Sequence, residues 1–360
     1  MSFLTVQRLS KAYKKQEVIQ DLSFTVDRLE TLVVFGPSGA GKTVLLRLIA
    51  GMIRPDRGNI IVDGRDITDL NPEHRHLGMA FQNFALYPHM TAYENIASPL
   101  RSRRIAQSEV DQRVHEVAKL LRIDHVVSHL PKALSNGQKQ RTALARSLIA
   151  KPNLILLDDP LRNVDAKVRY EMRLELPQLL RARETTVVYV TQDYKEAMAL
   201  GDRIAVLVDG RIEQIATPRE IYERPANSRI ARLFGDPPIN LLPVSTVPGS
   251  QGAQIRVAST DVALPGGAGA RDGCVLGLRP EDVAVGFEAQ PGAMPVEIDA
   301  VTPLNDREVM LLRARDGTEI FASAPQGHMA GSGQRGRREA WATLDLSHSH
   351  FFDTAGGARL

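Results

Sequence analysis

The sequence predicts a largely parallel α/β domain over residues 1–237, followed by a small all-β domain over 238–360. Three observations carry this. Apolar runs near Ile60 to Val62, Leu154 to Asp158, Thr186 to Val190 and Ile204 to Val208 alternate with helical patterns, as strands joined by crossover helices do. The composition then shifts at Asp236-Pro237-Pro238. Beyond it, Ala253 to Val257, Cys274 to Leu278, Val296 to Val301, Val309 to Ala314 and Ala340 to Leu344 are short runs divided by Gly, Pro and Asp turns. Finally, a glycine-rich stretch from Gly36 to Thr43 separates the apolar run Thr31 to Phe35 from a helical pattern over Lys42 to Ala50.

At 360 residues, with 43% hydrophobic composition, the chain is long enough for two ordinary cores. The formal charge of +3 is too small to argue for nucleic acid, and no nucleic-acid partner is expected. A single cysteine, Cys274, allows no intrachain disulfide, so an oxidising compartment is not required. No apolar stretch reaches the ~18 residues of a membrane span, and Met1 to Thr5 lacks a basic-then-apolar leader. Membrane association is therefore expected to go through a partner.

Taken in order, Thr31 to Phe35 reads as a buried strand that feeds Gly36-Pro37-Ser38-Gly39-Ala40-Gly41-Lys42-Thr43, which fits G-x-x-x-x-G-K-[ST]. Glycines let backbone N–H groups turn inward around phosphate oxygens. Lys42 neutralises β/γ charge, Thr43 offers a hydroxyl to Mg²⁺, and the following helix points its N-terminus at the phosphates. At Leu134-Ser135-Asn136-Gly137-Gln138, a Ser and a Gly at a helix start offer a hydroxyl and N–H groups to an anion. Leu154 to Asp158 reads as a buried strand ending in a carboxylate. In the second domain, Pro265-Gly266-Gly267 with Gly269, and Gly331 to Arg338, read as loops.

Leu134 to Gln138 resembles the LSGGQ signature of ABC-type ATPases, and the motifs occur in that family's order across residues 1 to about 237. Finer detail, in Gln82 to Pro88 and Tyr222-Glu223-Arg224-Pro225-Ala226-Asn227, is similar to the ATPase subunits of maltose-type and glycerol-3-phosphate-type ABC importers. The resemblance implies a P-loop ABC ATPase domain with an inserted helical subdomain. Leu278-Arg279-Pro280-Glu281 and His350-Phe351-Phe352-Asp353 resemble the subgroup's transport-associated OB-type β-barrel. By the same resemblance, ATP would be bound by Tyr13 at the adenine, by Gly36, Ser38, Gly39, Gly41, Lys42, Thr43 and Val44 at the phosphates, and by Ser135 and Gly137 of the signature. Thr43, Asp158 of a Walker B strand and Gln82 would serve Mg²⁺, and Asp159, Gln192 and Gln82 the hydrolytic step. Asn163-Val164-Asp165 resembles the D-loop.

A head-to-tail dimer is implied, each nucleotide lying between one chain's P-loop and the other's signature. The expected partners are two transmembrane permease subunits reached around Phe84 to Met90, a second ATPase subunit in a homodimer or heterodimer, and an external solute-binding protein. The place is the cytoplasmic face of the inner membrane, peripherally, and the solute is carbohydrate-like or polyol-like. A non-hydrolytic ATP-binding regulatory or assembly subunit is the alternative.

Four positions depart from the family pattern. Asp159 stands where a glutamate normally follows the Walker B aspartate, so its carboxylate retreats by about 1.5 Å; a misplacement of about 1 Å can cost on the order of 10²-fold in rate. Gln192 replaces the switch histidine and cannot carry its charge. Asn136 replaces the first signature glycine, and Val44 replaces a hydroxyl residue. Three of these changes converge on hydrolysis, so slow turnover is expected.

Overall fold

The computed structural model describes residues 2–14, 16–249, 252–264, 273–304, 306–327 and 338–360. The chain divides into two units, Met1–Arg219 and Glu220–Leu360. The first opens with a hairpin of β1 (Ser2–Tyr13) and β2 (Gln16–Asp27). β3 (Thr31–Phe35) is buried from Leu32 onward and runs through the glycine-rich loop into α1 (Lys42–Ala50), as expected. Then come β4 (Arg57–Val62), β5 (Arg65–Asp66) and β6 (Gly78–Ala80). Three helices packed on one another follow, α2 (Ala92–Ser102), α3 (Gln107–Leu120) and α4 (Asn136–Leu148), forming the inserted helical subdomain. The unit continues through β7 (Leu154–Asp158), α5 (Ala166–Ala182), β8 (Thr186–Thr191), α6 (Tyr194–Leu200), β9 (Arg203–Val208) and β10 (Arg211–Ala216).

Six strands form one sheet in the order β10-β9-β3-β8-β7-β6, parallel except for the β9–β10 pair. The strand at Ile60 to Val62 does not join it. It belongs to a separate antiparallel sheet, β2-β1-β4-β5, pairing Val6 with Ile60. The physical reason is burial: of β4 only Ile60 is fully buried, whereas strands of a covered parallel sheet, such as β7, are buried at every residue. One core holds residues of α1 and of both sheets, Leu45, Leu46, Leu48 and Ile49 together with Leu4, Val6 and Leu9 and with Leu32, Val34 and Val188. Because β3, β8 and β7 are neighbours, their C-terminal ends open on one edge of the sheet, where α/β folds place ligands.

α7 (Pro218–Glu223) crosses the division and α8 (Ser228–Leu233) lies inside the second unit. This division precedes the composition shift near residue 237. Buried Arg279 explains it: its Nη2 donates to Tyr222 O (3.0 Å), its Nη1 to the carbonyls of Ala231 and Phe234, and its guanidinium lies 3.9 Å from the Tyr222 ring centroid. The strands are β11 (Asn240–Gly249), β12 (Gly252–Val257), β13 (Thr260–Ala263), β14 (Val275–Leu278), β15 (Val283–Gly286), β16 (Met294–Pro303), β17 (Arg307–Ala314), β18 (Glu319–Pro325), β19 (Arg338–Leu344) and β20 (His350–Phe352). They make two antiparallel sheets, β13-β12-β11-β14-β20 and β15-β19-β16-β17-β18. The second curls until its edge strands β15 and β18 lie against each other, giving the barrel-like form expected of an OB-type domain. Their shared core includes Ile255, Leu276, Met310, Leu312, Ile320 and Phe351. The expected loops at 265–269 and 331–337 lie outside the described residues.

Candidate nucleotide site

The loop after β3 is glycine-rich for steric reasons that precede any ligand. A Cβ at Gly36 would lie 2.0 Å from the carbonyl oxygen of Leu207, and one at Gly41 would lie 2.7 Å from that of Val18, with Gly41 at φ 102°. The chain therefore passes close against its neighbours at Gly36 and again at Gly41, and between them Ala40 N–H donates to Pro37 O at 3.3 Å. Lys42 folds back over this loop, its Nζ donating to Gly36 O and Pro37 O at 2.8 Å each. Burial pushes the Lys42 ammonium below its ordinary pKa, and the carboxylates of Asp159 and Asp158 work against that shift. Thr43 Oγ1 donates to Asp158 Oδ1 at 3.0 Å, which brings the hydroxyl of α1 and the carboxylate of β7 together as expected.

Asp158 ends a strand buried at all five of its residues, and desolvation raises its pKa despite the Thr43 hydrogen bond. Asp159 takes a left-handed conformation, φ 44°, and its N–H donates to Val190 O at 2.8 Å, which pins the turn to β8. Burial raises its carboxyl as well, opposed chiefly by the charge of Arg162. Sequence reasoning passed over Arg162. Its Nη1 lies 3.8 Å from Asp159 Oδ2, and the amide oxygen of Gln192, oriented by this network, accepts from Nη1 at 3.2 Å and Nε at 3.3 Å. The only signal in the sequence was a cation four residues after the strand-end carboxylate.

A cavity of about 200 Å³ is lined by Ser38, Gly39, Gly41, Lys42, Thr43, Val44, Gln82, Asp158, Asp159, Arg162 and Gln192, with Val18 and Val190. Gly36 stands just behind, its carbonyl held by Lys42. Gln82 is tied to the turn after β7, its backbone oxygen accepting from Asn163 Nδ2 at 2.8 Å. Asp165 caps α5, accepting from Val168 N at 3.0 Å. Behind β8, Glu196 accepts from Tyr189 Oη (2.9 Å) and Thr191 Oγ1 (2.8 Å), and burial raises its carboxyl to about 7. Glu196 too was missed.

Besides Gly36, three expected residues do not line the cavity. Tyr13, at the end of β1, is 46% exposed beside Lys11, whose Nζ lies 5.8 Å from the ring centroid. Ser135 caps α4 in a reciprocal box, accepting from Gln138 N (3.2 Å) while Gln138 Oε1 accepts from Ser135 N (2.9 Å). Gly137 is packed against α5, where a Cβ would lie 3.1 Å from Val168 Cγ1, and the variant residue Asn136 is exposed. The Phe84 to Met90 segment is held by its carbonyls: Arg146 donates to Ala85 O (2.8 Å) and Phe84 O (3.1 Å), and Asn95 Nδ2 to Met90 O (2.9 Å). Tyr87 remains 47% exposed on its surface. Among the described residues, no helix is long and apolar enough to cross a membrane.

The residues present fit a Mg²⁺-nucleotide. Gly36 and Gly41, which leave no room for a Cβ, shape the loop, a buried ammonium rests on its carbonyls, and the hydroxyl–carboxylate pair of Thr43 and Asp158 is the kind of hard-oxygen set that Mg²⁺ shares with phosphates and water. A protein-family model described as ABC transporter matches residues 19–162. The chain is similar to the sn-glycerol-3-phosphate import ATP-binding protein of Cereibacter sphaeroides, at 39% identity over 360 residues covering 100% of both chains. It is also similar to that of Salmonella typhi, at 38% identity with 100% of both covered. Among solved structures, a dimeric ATP-binding cassette in a post-hydrolysis state, bound to ADP and Pi, matches 60% of this chain and 99% of its own, with TM-score 0.56 and 30% identity.

Proposed function

The chain belongs to the ABC transporter family as an import ATP-binding subunit, and we propose that it binds ATP with Mg²⁺ and hydrolyses it, slowly when alone, to drive uptake of a polyol-like or carbohydrate-like solute. The observation that carries the chemistry is the Thr43–Asp158 contact of 3.0 Å beside Lys42, with the Asp159 carboxylate one residue on. Thr43 and Asp158 would hold Mg²⁺, with Gln82 on the same wall of the cavity. The ion supplies charge neutralisation at the transferring phosphoryl group. Lys42 exchanges the carbonyls of Gly36 and Pro37 for phosphate oxygens, Ser38, Gly39, Gly41 and Val44 line the phosphate path, and Tyr13 is assigned to the adenine face. Asp159 orients the attacking water, and Gln192 donates to the terminal phosphate.

Ser135 and Gly137 are assigned to a nucleotide held by a second ATPase chain. Their distance from this chain's own cavity wall, and the dimeric state of the ADP-bound cassette, support that assignment. Since a homodimer would repeat the short carboxylate and neutral amide in both sites, a heterodimer with a second ATPase subunit is the favoured assembly. We assign nucleotide binding to residues 1–237 and a transport-associated role to 238–360. Two permease subunits meet the exposed segment around Tyr87, and an external binding protein delivers solute. The chain then sits peripherally at the cytoplasmic face of the inner membrane. Relatives named for sn-glycerol 3-phosphate import support a polyol solute.

The test is phosphate release by the purified chain with ATP, with and without Mg²⁺, then with its permeases in vesicles loaded to follow uptake of a polyol and sugar panel. Mg²⁺-dependent release that rises on assembly is expected. A folded chain that binds no ATP would refute the assignment.

A further inference from the structure

Arg162 is rooted firmly but its head is not. Its N–H donates to Asp159 O (3.2 Å), its carbonyl accepts from Arg169 Nη2 (3.2 Å), and the next side chain, Asn163, is fixed on Gln82. The side chain itself is 47% exposed at the cavity and approaches Asp159 only to 3.8 Å, beyond hydrogen-bonding distance. Arg203 in this unit, by contrast, closes on its partner, with Nε 2.6 Å from Glu30 Oε1. Of its five N–H donors, the Gln192 contact engages only Nε and Nη1, which leaves the guanidinium oriented and unsaturated.

Two cations, Lys42 and Arg162, and two buried carboxylates, Asp158 and Asp159, share this cavity. Resting on the nucleotide site proposed above, the amides of α1 serve phosphates common to a diphosphate and a triphosphate, and Lys42 spans the second and third. The turn after β7 and the end of β8, where Arg162 stands with Asp159 and Gln192, is left for a third phosphoryl group. We propose that Arg162 is a phosphate clamp supplied in cis, whose guanidinium moves from Asp159 to the terminal phosphoryl oxygens and so distinguishes a nucleoside triphosphate from a diphosphate. The exchange replaces a loose ion pair by charge-assisted, bidentate hydrogen bonds. It also brings to the neutral Gln192 wall the positive charge that a developing phosphoryl transition state requires.

The test uses the full-length protein with Mg²⁺ and titrates ADP and a non-hydrolysable ATP analogue into wild type, Arg162→Gln and Arg162→Lys. Arg162→Gln should weaken the analogue roughly 10- to 100-fold, the range for hydrogen bonds to a charged group, and change ADP by less than about twofold. Arg162→Lys should keep part of the preference. Equal losses for both nucleotides, or none, would overturn the clamp, whereas a wild-type chain that binds neither nucleotide would remove the site itself. A measurement independent of variant folding is modification of wild-type Arg162 by phenylglyoxal, mapped by mass spectrometry. It should be slowed by the ATP analogue and not by ADP, and equal rates with the two would likewise overturn the proposal.

Discussion

Replacing Lys42 by alanine should separate nucleotide binding from stability, because the side chain's folding terms nearly cancel while its binding term does not. Lys42 is 9% exposed, and its ammonium makes two 2.8 Å bonds to loop carbonyls. Hydrogen bonds to a charged group are worth about 1.5–3 kcal/mol each, so roughly 3–6 kcal/mol is lost with them. Against this, burying an ammonium costs several kcal/mol, which the variant recovers, and the downward shift of the Lys42 pKa is led by that same desolvation. The remainder should lie within about 2 kcal/mol. Binding has no such compensation. A triphosphate brought to Asp158 and Asp159 without the cation faces two carboxylates, and losing one partner of a buried charge pair costs about 3–5 kcal/mol, or more than 100-fold in affinity. Titration calorimetry with Mg²⁺-ATP, paired with urea unfolding, measures both quantities. Lys42→Met, which keeps the packing of the stem, should behave like the alanine variant. Wild-type ATP affinity in either folded variant would refute the phosphate role of Lys42.

Asp159→Glu combined with Gln192→His should raise turnover about 10-fold or more, within the range for a positioned general base; an unchanged rate, alone and with the second ATPase subunit, would show that the short carboxylate and the amide are compensated. Glu196→Gln should remove a pH dependence of stability. Burial raises this carboxyl from 4.5 to about 7, so the native state holds a proton that the unfolded chain releases; wild-type stability should fall as pH rises from about 4.5 to about 7, by roughly 3 kcal/mol. The isosteric variant should lose that part of the slope over the window in denaturant titrations, keeping what Asp158 and Asp159 contribute, and a slope equal to wild type would acquit Glu196. A chain ending at Arg219, where the first unit ends, should keep ATP binding within a few-fold, since every cavity-lining residue precedes that point. Loss of binding in a well-folded truncation would tie the nucleotide site to later residues.

Legibility followed the range of the forces involved. The loop from Gly36 to Thr43 could be read because its constraints are local: two glycines where no Cβ fits, a strand buried to its last residue, and a helix that starts at Lys42. Ser135 was legible for the same reason, as a cap three residues before Gln138. β4 was misplaced since an apolar run does not say which sheet it enters; only its half-wet burial does. Arg162 escaped because its partner depends on β7 and β8 lying side by side, and Glu196 because α6 must turn back on β8 to bring it to Tyr189 and Thr191. Nothing within a few residues of Arg162 announces Gln192, thirty positions away in the chain, as its partner.

That pairing alters how the departures from the family pattern should be weighed. Read along the chain, a shortened carboxylate at Asp159 and a neutral amide at Gln192 are two separate losses. In space they flank one guanidinium, so the three side chains form a single unit, and under the clamp proposed above the cation withheld from position 192 would be supplied from position 162. Substitutions within such a unit are not additive. A glutamate at 159 reaches about 1.5 Å further, toward a guanidinium now 3.8 Å away, and would tighten that ion pair before it reached any water. Asp159→Glu alone should therefore recover less rate than the double variant, because only a histidine at 192 gives the terminal phosphate a second donor while Arg162 is held.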